Sequence, residues 1–406
     1  MDKNIINDID NATQQFREML IEQYERNQAM AQAKSVSGRA DGGDNATTGA
    51  ASDSGNAHKL VIGTAAGDGI GPVIMKETRE VLEKLLAEEI EAGVVELREI
   101  EGFTIERRLA LGETVPADVL EQMLACDLIL KGPTTTPNAA MVAASGGRNL
   151  ESANVFLRKK LDLFANVRPV SVPEKGIDWT FFRENTEGEY ALGSRGIRIG
   201  DDLSVDFKVT TREGSERIAR AAYEFARENG KKRVSIVTKA NIMKKTDGDF
   251  QGICLKVAEE YPEIETDCWF VDIMAANLVN EDIRSQFEVF VLPNLYGDII
   301  TDEAAQIQGG VGTAGSANIG SRYSVFEAIH GSAPRMVEEG IADRANPASL
   351  MTAAVMMLRQ AGTLSQKAAR LEKAIAVADE KLGVRMTGLA DGASCREFTE
   401  EVLAEI

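Results

Sequence analysis

From Leu60 onward the chain alternates short apolar runs with longer segments whose apolar residues recur at helical spacing, and this alternation most restricts the fold. KLVIGTAA, CDLILKGP, RVSIVTKA, FEVFVLPN and TDCWFVDI read as strands. VIMKETREVLEKLLAEEI, TREGSERIARAAYEFAREN and PASLMTAAVMMLRQAG read as helices, so the expected class is α/β. No internal repeat supports a solenoid. The folded part exceeds the usual size of a single core, which favours two domains.

Ahead of this region, residues 3–32 read as an acidic amphipathic helix whose apolar face carries Ile6, Ile9, Phe16, Met19, Leu20 and Tyr24. From Ser35 to Asn56 almost no apolar side chain exceeds alanine, the composition of a flexible linker. The 406 residues include 64 acidic and 45 basic ones, a net charge of -19. That balance opposes binding to nucleic-acid phosphates or anionic membranes. No apolar run approaches the roughly 18 residues of a membrane span, and the acidic start is unlike a targeting peptide, so a cytoplasmic protein is expected. Cys126, Cys254, Cys268 and Cys395 form no CxxC, so neither a zinc site nor a disulfide framework is indicated.

The chain has two histidines, His58 in the Gly/Ser/Ala-rich stretch and His330 in an ordered-looking context. Neither GxSxG, HExxH nor GxxxxGK[ST] occurs. Carboxylates, lysines and tyrosines remain, a set suited to metal-assisted chemistry with a Lys or Tyr proton carrier. Gly67-Asp68-Gly69-Ile70-Gly71-Pro72 lies between a strand and a helix but lacks GxGxxG spacing; taken alone it is a tight turn. If Ser152 to Arg158 is helical, Asn154 and Arg158 share a face. Arg158, Arg168 and Arg183 offer guanidinium forks for a substrate with several carboxylates, although any one alone reads as a surface arginine. Lys239 ends an apolar strand, where desolvation favours the neutral amine that a base needs; a snorkelling lysine fits equally. If Asp298 opens a helix, Asp302 follows one turn on, giving two hard oxygen ligands for Mg²⁺ or Mn²⁺, or else an N-cap and a surface acid. Asp272 sits in an apolar run, where an isolated carboxylate is costly unless paired or metal-bound.

In order along the chain, GDGIGP, KGPTTTP, NVFLRKKLDLFANVRPV, RENTEGEY, KANIMK, NLYGDIITDEAAQ, GSANIG and HGSAP resemble the β-decarboxylating dehydrogenases. This family comprises isocitrate, 3-isopropylmalate, homoisocitrate and tartrate dehydrogenases, and the resemblance covers about residues 60–406. It implies a two-domain α/β/α sandwich that is not a Rossmann fold. A large cofactor domain would hold 59–163 and 309–406, and a small domain with a dimer clasp 164–308, after an extension of 1–58. The active site would be shared across a homodimer.

The resemblance also implies roles. Arg158, Arg168 and Arg183 would bind substrate carboxylates, Tyr190 would reprotonate carbon, and Lys239 and Asp272 would come from the partner subunit. Asp272, Asp298 and Asp302 would hold the metal. Lys131 and Thr136 match positions near substrate and nicotinamide; Thr135, His330, Gly331, Arg335 and Asn346 match the cofactor side. Asn154 stands where an isopropylmalate enzyme carries an aliphatic leucine, with Ser152 two residues before it, and both can hydrogen-bond a third carboxylate, which favours isocitrate. Arg335 follows HGSAP where NAD-type members have an aspartate, which favours NADP, with NAD second. The competing readings are another malate-type 2-hydroxy acid as substrate, and a non-catalytic regulatory paralogue.

Overall fold

The computed structural model describes residues 3–37, 59–193 and 195–406. Most of the expected linker, with His58, lies outside the described residues; Ser35 to Ser37 instead complete the helix Lys3–Ser37. The strands are β1 (Leu60–Ala65), β2 (Val95–Glu99), β3 (Leu128–Lys131), β4 (Ala165–Val172), β5 (Ile177–Glu184), β6 (Ile197–Ile199), β7 (Leu203–Val205), β8 (Arg233–Thr238), β9 (Glu265–Phe270), β10 (Val289–Leu292), β11 (Gly315–Ile319) and β12 (Ser324–Ala328). With the helices between them they make a mixed α/β chain. No helix among the described residues is long and apolar enough to cross a membrane.

The described residues divide into two compact units, one of 59–172 and 302–406 and the other of 3–37 and 173–301. The sequence had suggested divisions at 163/164 and 308/309. β4 pairs antiparallel with β11, which keeps residues 165–172 with the first unit. In that unit the strand order is β2-β1-β3-β12-β11-β4. The pairs from β2 to β12 are parallel, whereas β11 is antiparallel to both neighbours, unlike the all-parallel dinucleotide fold. The helix Ala348–Gln360 buries Leu350, Met351, Ala354 and Leu358 in the core shared with Ile62, Leu130 and Phe326. The second unit has a parallel order β5-β10-β8-β9 and a separate hairpin of β6 and β7. Phe181 and Phe290 stack at its centre with centroids 4.3 Å apart, and Trp179 meets both rings edge-on.

Three local expectations are corrected. The run TDCWFVDI is not one strand: β9 ends at Phe270 and the helix Val271–Val279 begins at once. Asp272 therefore sits in a first helical turn with its side chain 58% exposed, so the cost of a buried isolated charge does not arise there. The helix bearing Asp298 starts at Asn294, which places Asp298 inside it and removes the N-cap alternative. In the helix Lys3–Ser37, Met19 of the expected face is buried together with Ala12, while Ile6, Ile9, Leu20 and Tyr24 are exposed, so only part of the expected face docks. Small Ala12 allows close approach to Leu192 and Ile197, and Phe16 stacks on Phe207 at 5.0 Å.

Candidate active site

Several candidate side chains lie at or near the ends of parallel strands. In the first unit the register sets Lys131 of β3 against Glu327 of β12. Lys131 Nζ lies 2.7 Å from Glu327 Oε2, and Arg158 Nη2 lies 3.8 Å from Oε1. Asn318 Nδ2 donates to Glu327 Oε1 at 2.8 Å, and Asn166 Nδ2 donates to Asn318 Oδ1 at 3.0 Å. Burial of Glu327 favours its neutral form, but the Lys131 and Arg158 charges and the donated hydrogen bonds outweigh it and hold the carboxyl down at about 2.

Ser152 is the half-buried residue before the helix Ala153–Lys160, which carries Asn154 and Arg158 one turn apart on one face. Thr134 Oγ1 donates to Asn154 Oδ1 at 3.0 Å, so the amide presents its NH₂ as the donor side. Lys131, Asn154, Arg158 and Glu327 line one small cavity together with Leu157, Leu163, Asn318 and Val325. Arg168 is buried and its Nη1 donates to Asp302 Oδ1 at 3.1 Å.

The glycine-rich turn is an organiser rather than a dinucleotide fingerprint. Gly67 and Gly69 adopt φ of +73° and +60°, and a Cβ on Gly69 would stand 1.9 Å from the Ser332 carbonyl oxygen. Between them Asp68 Oδ1 accepts from Ile105 N at 2.6 Å and Oδ2 from Thr135 N at 2.7 Å, with Arg108 3.6 Å away. Burial raises the Asp68 carboxyl, opposed by those two amides and Arg108. The hydroxyls of Thr135 and Ser332 are 2.7 Å apart, so the KGPTTTP and HGSAP loops meet at this turn. Thr136 and Gly331 are exposed, and His330 is half-buried with Nδ1 3.0 Å from the Gly331 oxygen. Burial pushes the His330 imidazole below its ordinary range, towards the neutral form. Arg335 is 85% exposed at its side chain and pairs with Glu339 at 2.6 Å. Asn346 Oδ1 accepts from Ala348 N at 2.9 Å, a structural role in starting the following helix.

In the second unit Arg183, at the end of β5, donates Nε and Nη2 to Asn294 Oδ1 at 3.0 and 2.7 Å and pairs with Asp298. Tyr190 OH donates to Asp298 Oδ2 at 2.7 Å, and the Arg183 guanidinium lies 5.3 Å from the Tyr190 ring centre. Lys239 follows β8, and its Nζ is 2.5 Å from Asp272 Oδ1. Its side chain is 25% exposed, so it is ion-paired rather than desolvated as the sequence suggested. Fully buried Asp247 accepts from Lys239 N at 2.7 Å and pairs with Lys208 at 2.5 Å, fixing the loop that carries Lys239.

The helix Asn294–Gln308 carries both Asp298 and Asp302. The side chains of Asp272, Asp298 and Asp302 are each partly exposed. Among the described residues of one chain no three His, Cys, Asp or Glu side chains are placed to hold a metal ion. Glu327, Asp68 and Asp247 were missed by sequence reasoning. Their available signal was an acid inside a short apolar strand, an acid between two glycines, and an acid opening a helix just after a candidate base.

A family model described as isocitrate/isopropylmalate dehydrogenase matches residues 61–402. A probable mitochondrial isocitrate dehydrogenase (NAD) subunit alpha of Caenorhabditis elegans is 39% identical over 349 residues, 84% of this chain and 90% of that one. An isocitrate dehydrogenase (NADP) of Rickettsia prowazekii is 39% identical over 308 residues, 73% of this chain and 59% of that one. The crystal structure of an isocitrate dehydrogenase from Methylococcus capsulatus superposes with a TM-score of 0.73 at 34% identity, over 85% of this chain and 99% of that chain. The ordered motifs, the fold and these matches agree: the chain belongs to the isocitrate/isopropylmalate dehydrogenase family.

Proposed function

We propose that this protein oxidatively decarboxylates isocitrate to 2-oxoglutarate and CO₂ with hydride transfer to NADP, as a homodimer in the cytoplasm. The observation that carries the substrate is the cavity where the Asn154 amide joins Lys131 and Arg158, a set of donors for a third carboxylate. Arg168 and Arg183 bind the other carboxylates. Lys239, paired with Asp272, would take or relay the hydroxyl proton as the hydride leaves C2 for the nicotinamide. The bond from C3 to its carboxylate then breaks, its electrons remain as an enolate, and Tyr190 delivers a proton to C3. In the homodimer Lys239 and Asp272 of one subunit complete the site of the other. A divalent cation held by Asp272, Asp298 and Asp302 supplies charge stabilisation at the substrate oxygens when bound.

Asn154→Leu is expected to lower the kcat/KM ratio of isocitrate over 3-isopropylmalate by roughly 10- to 200-fold, because a buried carboxylate loses its donor. Unchanged discrimination in paired initial-rate assays would place the specificity elsewhere. For the coenzyme, the exposed Arg335 guanidinium suits a 2′-phosphate and follows HGSAP at the place where NAD-type members have an aspartate. The second reading, NAD, is favoured by the Glu339 carboxylate that already engages Arg335 and by the nematode relative's NAD designation. Arg335→Asp should reduce the NADP over NAD preference by about 100-fold in kcat/KM. An unaltered ratio would assign coenzyme choice to other residues.

A further inference from the structure

We propose that the helix Lys3–Ser37 acts in cis on the candidate active site, with Arg26 as a positioning residue that steadies Arg183 and Tyr190 through Thr186 and Glu187. The helix docks through Ala12 and Met19, and Arg26 lies two turns beyond Met19 on the same face. Arg26 Nη2 donates to Thr186 Oγ1 at 3.0 Å, and its Nη1 is 3.7 Å from Glu187 Oε1. Glu184, Asn185, Thr186 and Glu187 are each 2% exposed, so the guanidinium reaches a loop that water scarcely touches.

That loop leads directly to the chemistry. Glu187 O accepts from Asn294 Nδ2 at 3.0 Å, Asn294 Oδ1 holds Arg183, and Arg183 pairs with the Asp298 that accepts from Tyr190. A shift of Thr186 and Glu187 is therefore transmitted through one amide to two catalytic side chains.

The loop needs the positive charge because it buries two acids. Glu184 accepts from Thr186 N, Thr186 Oγ1 and Glu187 N, and Glu187 accepts from Thr211 N. Arg217 reaches Thr186 Oγ1 at 3.0 Å from the helix Arg212–Glu228. Burial and the Glu184 charge push the Glu187 carboxyl up to about 7, against Thr211 and Arg26, which lower it. Without Arg26 one countercharge is lost beside two buried carboxylates, and the loop is left to rearrange or to take up a proton.

The test compares Arg26→Met, Arg26→Lys and Arg195→Ala with the wild type. Arg195 pairs with Glu22 of the same helix at a solvent-exposed contact, so its variant disturbs the docked helix without touching the loop. The expectation is a roughly tenfold loss of kcat/KM in Arg26→Met. It should be read as a raised KM for isocitrate and a lowered kcat, with KM for NADP unchanged. Arg26→Lys should recover most of the loss, and Arg195→Ala should stay within about twofold of wild type. Wild-type kinetics in Arg26→Met, or an equal loss in Arg195→Ala, would overturn the proposal.

The choice of isocitrate rests on the function proposed above, so a second readout stands apart from turnover. Amide hydrogen exchange over residues 184–190 should be at least about tenfold faster in Arg26→Met and close to wild type in Arg26→Lys. Unchanged exchange would overturn the positioning role, whereas an idle wild-type enzyme with this exchange pattern would overturn only the substrate.

Discussion

Asp298→Asn is expected to cut metal-dependent turnover by at least about 10³-fold while the protein remains folded. The loss has two sources. The amide removes a negative ligand from the proposed donor set of Asp272, Asp298 and Asp302. It also leaves one acceptor oxygen where two served Arg183 and the Tyr190 OH at 2.7 Å, and it removes the countercharge of Arg183, whose side chain is 1% exposed. Arg183 keeps Asn294 as a partner, so the binding fork should survive while cation affinity falls. The check is a Mn²⁺ titration of initial rate beside a denaturation curve. Wild-type rates at low Mn²⁺ would take Asp298 out of the metal set, and a collapsed fold would move its role to stability.

Glu327→Gln is expected to give the largest loss of stability, about 3–5 kcal/mol, because Lys131 and Arg158 then share no buried anion. The wild-type pH profile follows from the same contact. Glu327 is held at about 2 in the folded chain against an ordinary value of 4.5. A carboxyl depressed by folding contributes stability that is fully present above about 4.5 and is lost as pH falls towards about 2. Acid denaturation midpoints should therefore show a shallower acid limb in Glu327→Gln than in the wild type. An equal slope, or a variant as stable as wild type at neutral pH, would show that the two cations find other partners.

The strands were legible because buried parallel strands read as continuous apolar runs, and the groups at their ends, Lys131, Arg183 and Lys239, stand out by charge. Arg158 and Asn154 were legible as a helical pair because helix spacing is local. What could not be read depends on register between distant segments. Glu327 meets Lys131 only because β12 pairs with β3, and nothing in SVFEA announces that partner. Asp272 was misplaced because an apolar run without clear period does not say where a strand stops and a helix starts. The docked face of the N-terminal helix was legible only in part. Its largest apolar side chains suggested a broad stripe, of which the surface of Leu192, Ile197 and Phe207 takes Phe16 and Met19 and adds the small Ala12.

The central claim is most directly tested by initial rates of the purified chain with isocitrate or 3-isopropylmalate, NADP or NAD, and Mn²⁺ or excess chelator. The account predicts fast NADPH formation from isocitrate that chelator abolishes. Turnover of isopropylmalate in preference would contradict the reading of Asn154, preference for NAD would contradict that of Arg335, and no turnover of either acid would point to another hydroxy acid or a regulatory paralogue.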